Sequence, residues 1–200
     1  MRRSLLTFGT ALAAMLLLLV GAWGIGASLA AVGTVPANDN FADAEVLTTQ
    51  SGSVTGSNTA ATAESGEDYC YATQPPMNTV WYVFTPEADG GLVVEITTAD
   101  FDTVMGIYTG AGVAATTRVA ESNDTGDSTL SRVDFAVTGG TAYYIQVDGI
   151  SEEQGDFVLE WAYLAAPAND ALADAAELSG ANGTLVHQHN YAATAETGES

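Results

Sequence analysis

One loop of the sequence concentrates oxygen ligands of the kind that hard cations prefer. Residues 121–127 read Glu-Ser-Asn-Asp-Thr-Gly-Asp, which places three carboxylates and one amide within seven positions. Calcium takes about 6–8 oxygen ligands from carboxylates, amides and carbonyls. Other carboxylates stand at the ends of predicted strands. If those ends meet, the sequence predicts a calcium site formed by Asn123, Asp124, Asp127, Asp100, Asp102 and Asp148. The alternative is that these residues form ordinary Asx turns.

Two other metal or thiol chemistries are weaker candidates. His187 and His189 would face the same way on a strand and could share a transition metal, but two ligands are too few, and solvated histidines are the alternative. Cys70 is the single cysteine. It is interpreted either as a small, partly buried hydrophobic residue or as one half of a bridge to a cysteine outside this sequence.

No residue pattern indicates an enzyme. The sequence has no Gly-x-Ser-x-Gly motif, P-loop or dinucleotide fingerprint, and residues 36–164 contain no histidine that could act as a general base. We therefore expect no catalytic activity within these 200 residues. An aromatic set could instead form a sugar-stacking platform, although Trp81 and Trp161 are expected in the core; the set is Trp81, Tyr82, Tyr143, Tyr144 and Trp161.

The elements that must position these residues are predominantly β-strands. Short runs rich in Val, Ile, Tyr, Thr and Phe are separated by Gly, Asp, Asn and Ser, which is typical of strands joined by turns. The predicted strands are Thr79–Phe84, Gly91–Thr97, Thr103–Thr109, Thr117–Ser122, Leu130–Val137, Thr141–Asp148 and Asp156–Tyr163, with Gly52–Asn58 as a further edge strand.

Side-chain alternation indicates how these strands pack. Val133, Phe135 and Val137 point to one face, with polar or small residues between them. A period of two with one polar face predicts antiparallel sheets that are each packed on one side. The fold class is therefore all-β, an antiparallel β-sandwich of jelly-roll or Ig-like type. A short N-terminal helix is predicted over Asn40–Leu47, capped by Asp39 or Asn40 and placed as a lid over one end.

An internal repeat defines the domain organisation. The segment Pro36–Leu47 returns as Pro167–Leu178, and Ala60–Glu67 returns as Ala192–Glu199. The predicted domains are therefore a β-sandwich at 36–164 and the start of a second copy at 165–200, which we expect to continue beyond Ser200. The acidic turn Glu64–Asp68 belongs to the repeated part and is a further candidate for contact with a metal or partner.

The N-terminus predicts export. Arg2 and Arg3 precede an apolar stretch, and Ser28-Leu29-Ala30 fits a small-residue cleavage site. Residues 1–30 are therefore predicted as a signal peptide and 31–35 as a linker, with a retained membrane anchor as the alternative. The prediction is a secreted or cell-surface protein, and its only membrane contact would be this segment if it is not cleaved.

Charge excludes another class of partner. The formal net charge is −21, with 25 acidic residues and only four basic ones. Nucleic-acid binding needs clustered Lys and Arg to neutralise phosphates, so no nucleic-acid partner is expected. We expect such a surface to keep an exported protein soluble and monomeric by self-repulsion.

The ordered motifs resemble the bacterial pre-peptidase C-terminal (PPC-like) domain in its tandem secreted version. The motifs that carry this resemblance are NDNFADAEVL, GSVTGSNTAATAESGED, TVWYVFTP, FDTVMGIYTG, ESND, SRVDFAVTGGTAYYIQVDG and GDFVLEW, which cover about residues 36–164. The resemblance implies a jelly-roll sandwich without a catalytic centre. It also implies calcium binding in some relatives, and association with exported enzymes or repetitive surface proteins in others.

Three functional hypotheses follow. The first is a non-catalytic secreted or surface module that binds or spaces, stabilised by calcium, with an extracellular protein or polysaccharide and adjacent repeat modules as partners. The second is a targeting module of an exported hydrolase or peptidase whose catalytic domain lies beyond residue 200. The third is a membrane-anchored adhesin that keeps its N-terminal helix.

Overall fold

The computed structural model describes residues 33–72, 74–126, 128–169, 172–175 and 193. The predicted signal segment therefore lies outside the described residues, as do Asp127, His187 and His189. In the part of the chain that is described, no helix has the length and apolar character needed to cross a membrane.

The described residues form nine strands arranged in two sheets. Short runs of β-branched and aromatic residues favour this extended state because their side chains pack well on a pleated surface. The strands are β1 (Glu45–Leu47), β2 (Ser51–Ser57), β3 (Val80–Phe84), β4 (Gly90–Ala99), β5 (Thr103–Gly110), β6 (Thr116–Ser122), β7 (Arg132–Val137), β8 (Tyr143–Gly149) and β9 (Asp156–Ala165).

One sheet has the strand order β1-β3-β8-β5-β6 and the other has the order β2-β9-β4-β7. All neighbours pair antiparallel except β1, which runs parallel to β3. The all-β prediction is therefore confirmed, and each predicted strand is present with ends that differ by no more than a few residues.

The main hydrophobic core fills the space between the two sheets. Val94, Ile96, Ile107, Ile145 and Leu159 are completely buried there. On β7 the inward residues are buried or half-buried while Asp134 and Ala136 are exposed, as the alternation predicts.

The five-stranded sheet departs from the prediction that each sheet is packed on one side only. On β8 both faces are buried, and Gln146 and Asp148 of the outer face are completely inaccessible. The reason is that the long connection between β2 and β3 lies over this face. Its contacts include the Cys70 thiol, which donates to the Gln146 carbonyl at 3.5 Å, and the Met77 amide, which donates to Asp148 Oδ2 at 2.9 Å.

The predicted helix over Asn40–Leu47 is wrong. Only Phe41–Asp43 form a single 3-10 turn, and Glu45–Leu47 are strand β1. The helix does not extend because Glu45–Leu47 pair with Tyr82–Phe84, and this long-range pairing outweighs a weak local preference. Asn40 makes no side-chain cap. Phe41 packs on the outer face against Trp81, with ring centroids 5.2 Å apart.

The same local conformation occurs in the second copy of the repeat. Leu172–Asp174, which correspond in sequence to Phe41–Asp43, also form a 3-10 turn. The repeated sequence therefore specifies this turn in both places.

Candidate functional site

The first candidate site lies at the end of the sandwich where β5 begins. Ser131, just before β7, donates from Oγ to the Asn123 carbonyl at 2.8 Å, which holds the loop after β6 against this end. The Asp102 amide donates to Glu153 Oε2 at 2.9 Å, which ties in the loop between β8 and β9. Three loops therefore converge here.

Two oxygens at this end are buried without a hydrogen-bond partner. They are Oδ1 of Asp102 and Oδ1 of Asn123, while the Asn123 amide nitrogen donates to Asp124 Oδ2 at 2.8 Å. Partial desolvation raises the pKa of Asp102, and the negative charges of Asp124 and Glu153 raise it further. Buried oxygens without a donor are costly, because such groups are normally paired. The arrangement could accept a cation that supplies the missing partner.

The six residues predicted as calcium ligands are only partly brought together. Asp102, Asn123 and Asp124 share this end, and Asp100 is exposed on the same loop as Asp102. Asp148 lies instead on the covered outer face of the five-stranded sheet. Within the described ranges, no three acidic, histidine or cysteine side chains are grouped closely enough to hold an ion.

A second polar cluster lies under the connection between β2 and β3. Asp148 accepts hydrogen bonds from the amides of Met77, Asn78 and Gly149, at 2.9, 3.0 and 2.8 Å. Burial raises the pKa of this carboxyl, although the three amide donors oppose the rise. Its oxygens thus fasten the end of the connection to β8.

Glu67 is the second carboxylate of this cluster. Its oxygens accept from Thr79 Oγ1 at 2.9 Å and from Trp81 Nε1 at 3.0 Å. Burial raises the pKa of Glu67, and nearby Asp148 raises it further, while the hydrogen bonds from Trp81 and Thr79 act in the opposite direction. Both carboxylates are therefore engaged in holding the connection on the sheet.

Cys70 lies in the same cluster and is completely buried. Burial raises the pKa of its thiol well above the usual value, and the charge of Asp148 adds to the effect. A buried thiol of this kind is unreactive because the thiolate is the reactive form. In the folded chain Cys70 is thus a packed residue and is inaccessible to a cysteine outside the module.

The aromatic side chains do not form an open sugar platform. Trp81, Tyr82, Tyr143 and Trp161 are buried, which confirms that the two tryptophans are core residues. Tyr144 is half-buried and stacks on Phe41, with ring centroids 4.1 Å apart. The faces of these five aromatic rings are therefore used in packing within the module.

Residues that the two copies share hold the framework of the module. Asp39 accepts from the Thr62 amide at 2.6 Å and from the Thr62 hydroxyl at 2.9 Å. Asn58 is completely buried; its amide nitrogen donates to the Glu153 carbonyl at 3.2 Å, and its Oδ1 accepts from the Gly155 amide at 2.9 Å. The framework residues that recur in the second copy are Asn38, Asp39, Asn58, Thr62, Glu64 and Glu67, at Asn169, Asp170, Asn190, Thr194, Glu196 and Glu199.

Sequence reasoning missed the roles of Asn58, Asp39 and Gln146. The first two carry a signal, since both recur in the second copy of the repeat, at Asn190 and Asp170. Gln146 has no such signal. Its Oε1 accepts from the Tyr108 hydroxyl at 2.9 Å, a contact between two strands that only the sheet pairing brings together.

The solved structures to which this chain is similar include the following two. One is the pre-peptidase C-terminal domain of a collagenase from Bacillus anthracis, with 12% identity, a TM-score of 0.41, and 59% of this chain and 93% of that chain covered. The other is a periplasmic inhibitor of g-type lysozyme from Aeromonas hydrophila, with 17% identity, a TM-score of 0.41, and 60% and 95% covered.

No family model and no curated protein matches this sequence. The β-sandwich architecture is defined by the strands and pairings of this chain itself.

Proposed function

We propose that residues 36–164 are a non-catalytic binding or spacer module of an exported, multi-module protein. Its partners would be adjacent copies of the module and an extracellular protein or polysaccharide. The N-terminal signal pattern supports a role outside the cytoplasm, and the strongly acidic composition suits a soluble module.

One observation carries this proposal. The polar residues that recur in both copies make hydrogen bonds between distant parts of the same module, as Asp39 does with Thr62 and Asn58 does with Gly155. The residues that recur in both copies are therefore residues that stabilise the fold of the module. A repeated catalytic site would instead repeat accessible reactive groups, whereas Glu67 is held by three donors within the module, from Thr79, Trp81 and Gln146.

A double-mutant cycle on Asp39 and Thr62 tests this structural role. Asp39→Ala removes an acceptor for two donors and is expected to lower the free energy of unfolding by about 1–3 kcal/mol. Thr62→Ala should cost less because only its hydroxyl donor is lost. The double variant should lose less than the sum, because the two residues share one interaction.

Glu45→Ala is the matched control, because Glu45 is an exposed acidic residue of β1 whose counterpart in the second copy is Ala176. It should change stability by no more than about 0.5 kcal/mol. Asp39 and Thr62 variants that are as stable as the original chain would show that these residues recur for ligand contact and not for folding.

Export has its own test. If residues 1–30 are removed as a signal, N-terminal sequencing of the protein recovered from the culture medium should begin at Ala31. A chain that stays with the membrane and keeps Arg2 and Arg3 would favour the anchored form instead.

We also propose that calcium binds at the end of the sandwich formed by Asp102, Asn123 and Asp124. The observation that favours it is the pair of buried oxygens without partners, Oδ1 of Asp102 and Oδ1 of Asn123. Bound calcium would coordinate these two oxygens and would neutralise the negative charge of the neighbouring Asp124. Water molecules would complete its coordination.

Calcium titration into the metal-depleted chain tests this second proposal at constant ionic strength. Binding should stabilise the folded state by about 1.4 kcal/mol when calcium is about tenfold above its Kd. Asp102→Asn should abolish the gain, while Glu45→Gln, with the same charge change on β1, should keep it. No rise in Tm of the original chain at millimolar calcium would refute the site.

A further inference from the structure

Strand β2 is an edge of the four-stranded sheet and pairs only with β9 among the described residues. The Gln50 carbonyl accepts from the Tyr163 amide and the Asn58 amide donates to the Gly155 carbonyl, so even-numbered residues of β2 point their backbone groups at β9. Because the direction alternates along an antiparallel strand, the backbone groups of the odd-numbered residues point away from the sheet. These residues are Ser51, Ser53, Thr55 and Ser57.

Among the described residues, the other three edge strands carry features that block pairing with another chain, and β2 carries none of them. β1 has three residues, β6 has the Arg118–Glu121 ion pair and a register shift against β5, and β7 has an arginine paired with Glu95. Short length, charge and irregularity are the usual devices that block edge pairing. β2 has seven residues without proline, and residues 46–63 contain no charge at all.

The sequence of β2 is nearly palindromic. It reads Ser-Gly-Ser-Val-Thr-Gly-Ser from Ser51 to Ser57. When two copies run antiparallel about Val54, serine meets serine, glycine meets glycine, and Ser53 meets Thr55. We propose that the β2 edges of two copies of this chain pair antiparallel about a two-fold axis at Val54, joining their four-stranded sheets into one.

The direction of the backbone groups fits this register. In the proposed pairing Ser51 lies opposite Ser57 and Ser53 opposite Thr55, so all hydrogen-bonded positions are odd-numbered residues whose groups point outward. Val54 falls at a non-hydrogen-bonded position on the axis. A register shifted by one residue would place odd-numbered residues opposite even-numbered ones. The backbone groups of the even-numbered residues already point at β9, so the hydrogen bonds between the two chains could not form.

The inward side of β2 fits a continuous sheet. A Cβ atom on Gly52 would lie 2.8 Å from the Trp161 ring, and Val54 packs on the main core. On the other side Ser51, Ser53 and Thr55 are exposed and Ser57 is half-buried. In the proposed pairing, residues with hydroxyl groups lie opposite each other without charge repulsion. In a chain of net charge −21, this edge is a place where two copies can approach closely.

A second copy fits this edge better than the next module of the same chain does. The matching segment Gly183–His189 reads Gly-Thr-Leu-Val-His-Gln-His; it has no glycine at the positions of Gly52 and Gly56, and it lacks the palindromic order. The self-complementary pattern belongs to the first copy, and a closed two-fold pair uses the same surface on both chains.

Sedimentation equilibrium of the full chain over a range of concentrations tests the proposal. We expect a monomer–dimer equilibrium. The double variant Ser53→Glu with Thr55→Glu places carboxylates opposite each other twice across the axis and should raise the dimer Kd by at least about tenfold. The matched control Thr117→Glu with Val119→Glu adds the same charge to exposed positions of β6 and should leave the Kd unchanged.

A charge-reversal mixture makes the test specific. Ser53→Lys with Thr55→Lys should also dimerise poorly alone, and its mixture with the glutamate variant should form a heterodimer. A chain that is monomeric at every concentration would overturn the proposal, as would occupation of β2 by the chain's own N-terminal residues. A dimer that the glutamate pair leaves intact would overturn it too, because association would then use another surface.

Discussion

At the scale of single residues, buried carboxylates organise the outer face of the five-stranded sheet. Asp148 is fastened by three amides, and Glu67 by Thr79 and Trp81. Both have pKa values raised by burial. A carboxylate inside a structure stabilises only when its hydrogen bonds offset the loss of hydration. These two side chains therefore link the pH to the stability of the covering connection.

The pH dependence of stability should depend on Glu67. Because the folded-state pKa is raised, the folded chain binds more protons than the unfolded one between the unfolded-state pKa, about 4.3, and the raised value. Stability from this group is therefore gained as pH falls through the folded-state pKa and is complete below the unfolded-state value. The free energy of unfolding can be measured by urea denaturation at pH 7 and pH 4. Glu67→Gln should remove the part of its increase toward pH 4 that comes from Glu67.

The original chain is the reference in that experiment, since the general relief of acidic repulsion at low pH affects both proteins. An identical gain in the glutamine variant would mean that Glu67 has the same pKa in the folded and unfolded states.

At the scale of elements, the approach of β2 to the sheet core depends on glycine. A Cβ atom on Gly56 would overlap the Tyr82 hydroxyl and would lie 2.6 Å from the Phe157 ring. Tyr82 is buried, and burial raises its pKa to about 12. Neither ring can move far, because both pack in the main core. The position of the edge strand therefore depends on the absence of a Cβ atom at its glycines.

Gly56→Ala should lower the free energy of unfolding by about 1–3 kcal/mol, because the added methyl group overpacks the contact with Tyr82 and Phe157. Gly112→Ala is the matched control, since nothing lies within 4 Å of its Cβ position. Chemical denaturation of both variants makes the comparison. Equal stability of the two variants would contradict the close approach of β2.

At the scale of the whole molecule, self-repulsion opposes the compact state. The chain has 25 acidic residues against four arginines, and the described ion pairs involve only Arg118 and Arg132. The remaining acidic charge is spread over a small surface, and such an excess destabilises a folded chain while it keeps the chain soluble.

Added salt should therefore stabilise the fold, because the screening length falls to about 10 Å at 0.1 M. Raising sodium chloride from 10 mM to 500 mM is expected to increase stability by on the order of 1 kcal/mol, or about 2–4 °C in Tm for a chain of this size. Choline chloride at the same concentrations should raise the Tm by the same amount as sodium chloride if the effect is charge screening. A Tm that falls with both salts would contradict it.

The sequence by itself determined the strands, the repeat and the inward residues of β7, because these depend on local periodicity of side chains. It failed where distant segments decide the outcome. Glu45–Leu47 became a strand through pairing with Tyr82–Phe84, and the outer face of β8 became buried under the connection before β3.

The candidate calcium site divides in the same way. Oxygen-rich loops are visible in the sequence, but only the tertiary structure engages Asp148 with the Met77 amide of the covering connection and leaves Oδ1 of Asp102 and of Asn123 buried without donors. The physical reason is that a residue's type sets which contacts it can make, whereas strand order and loop packing, which join residues far apart in the chain, decide which contacts it does make.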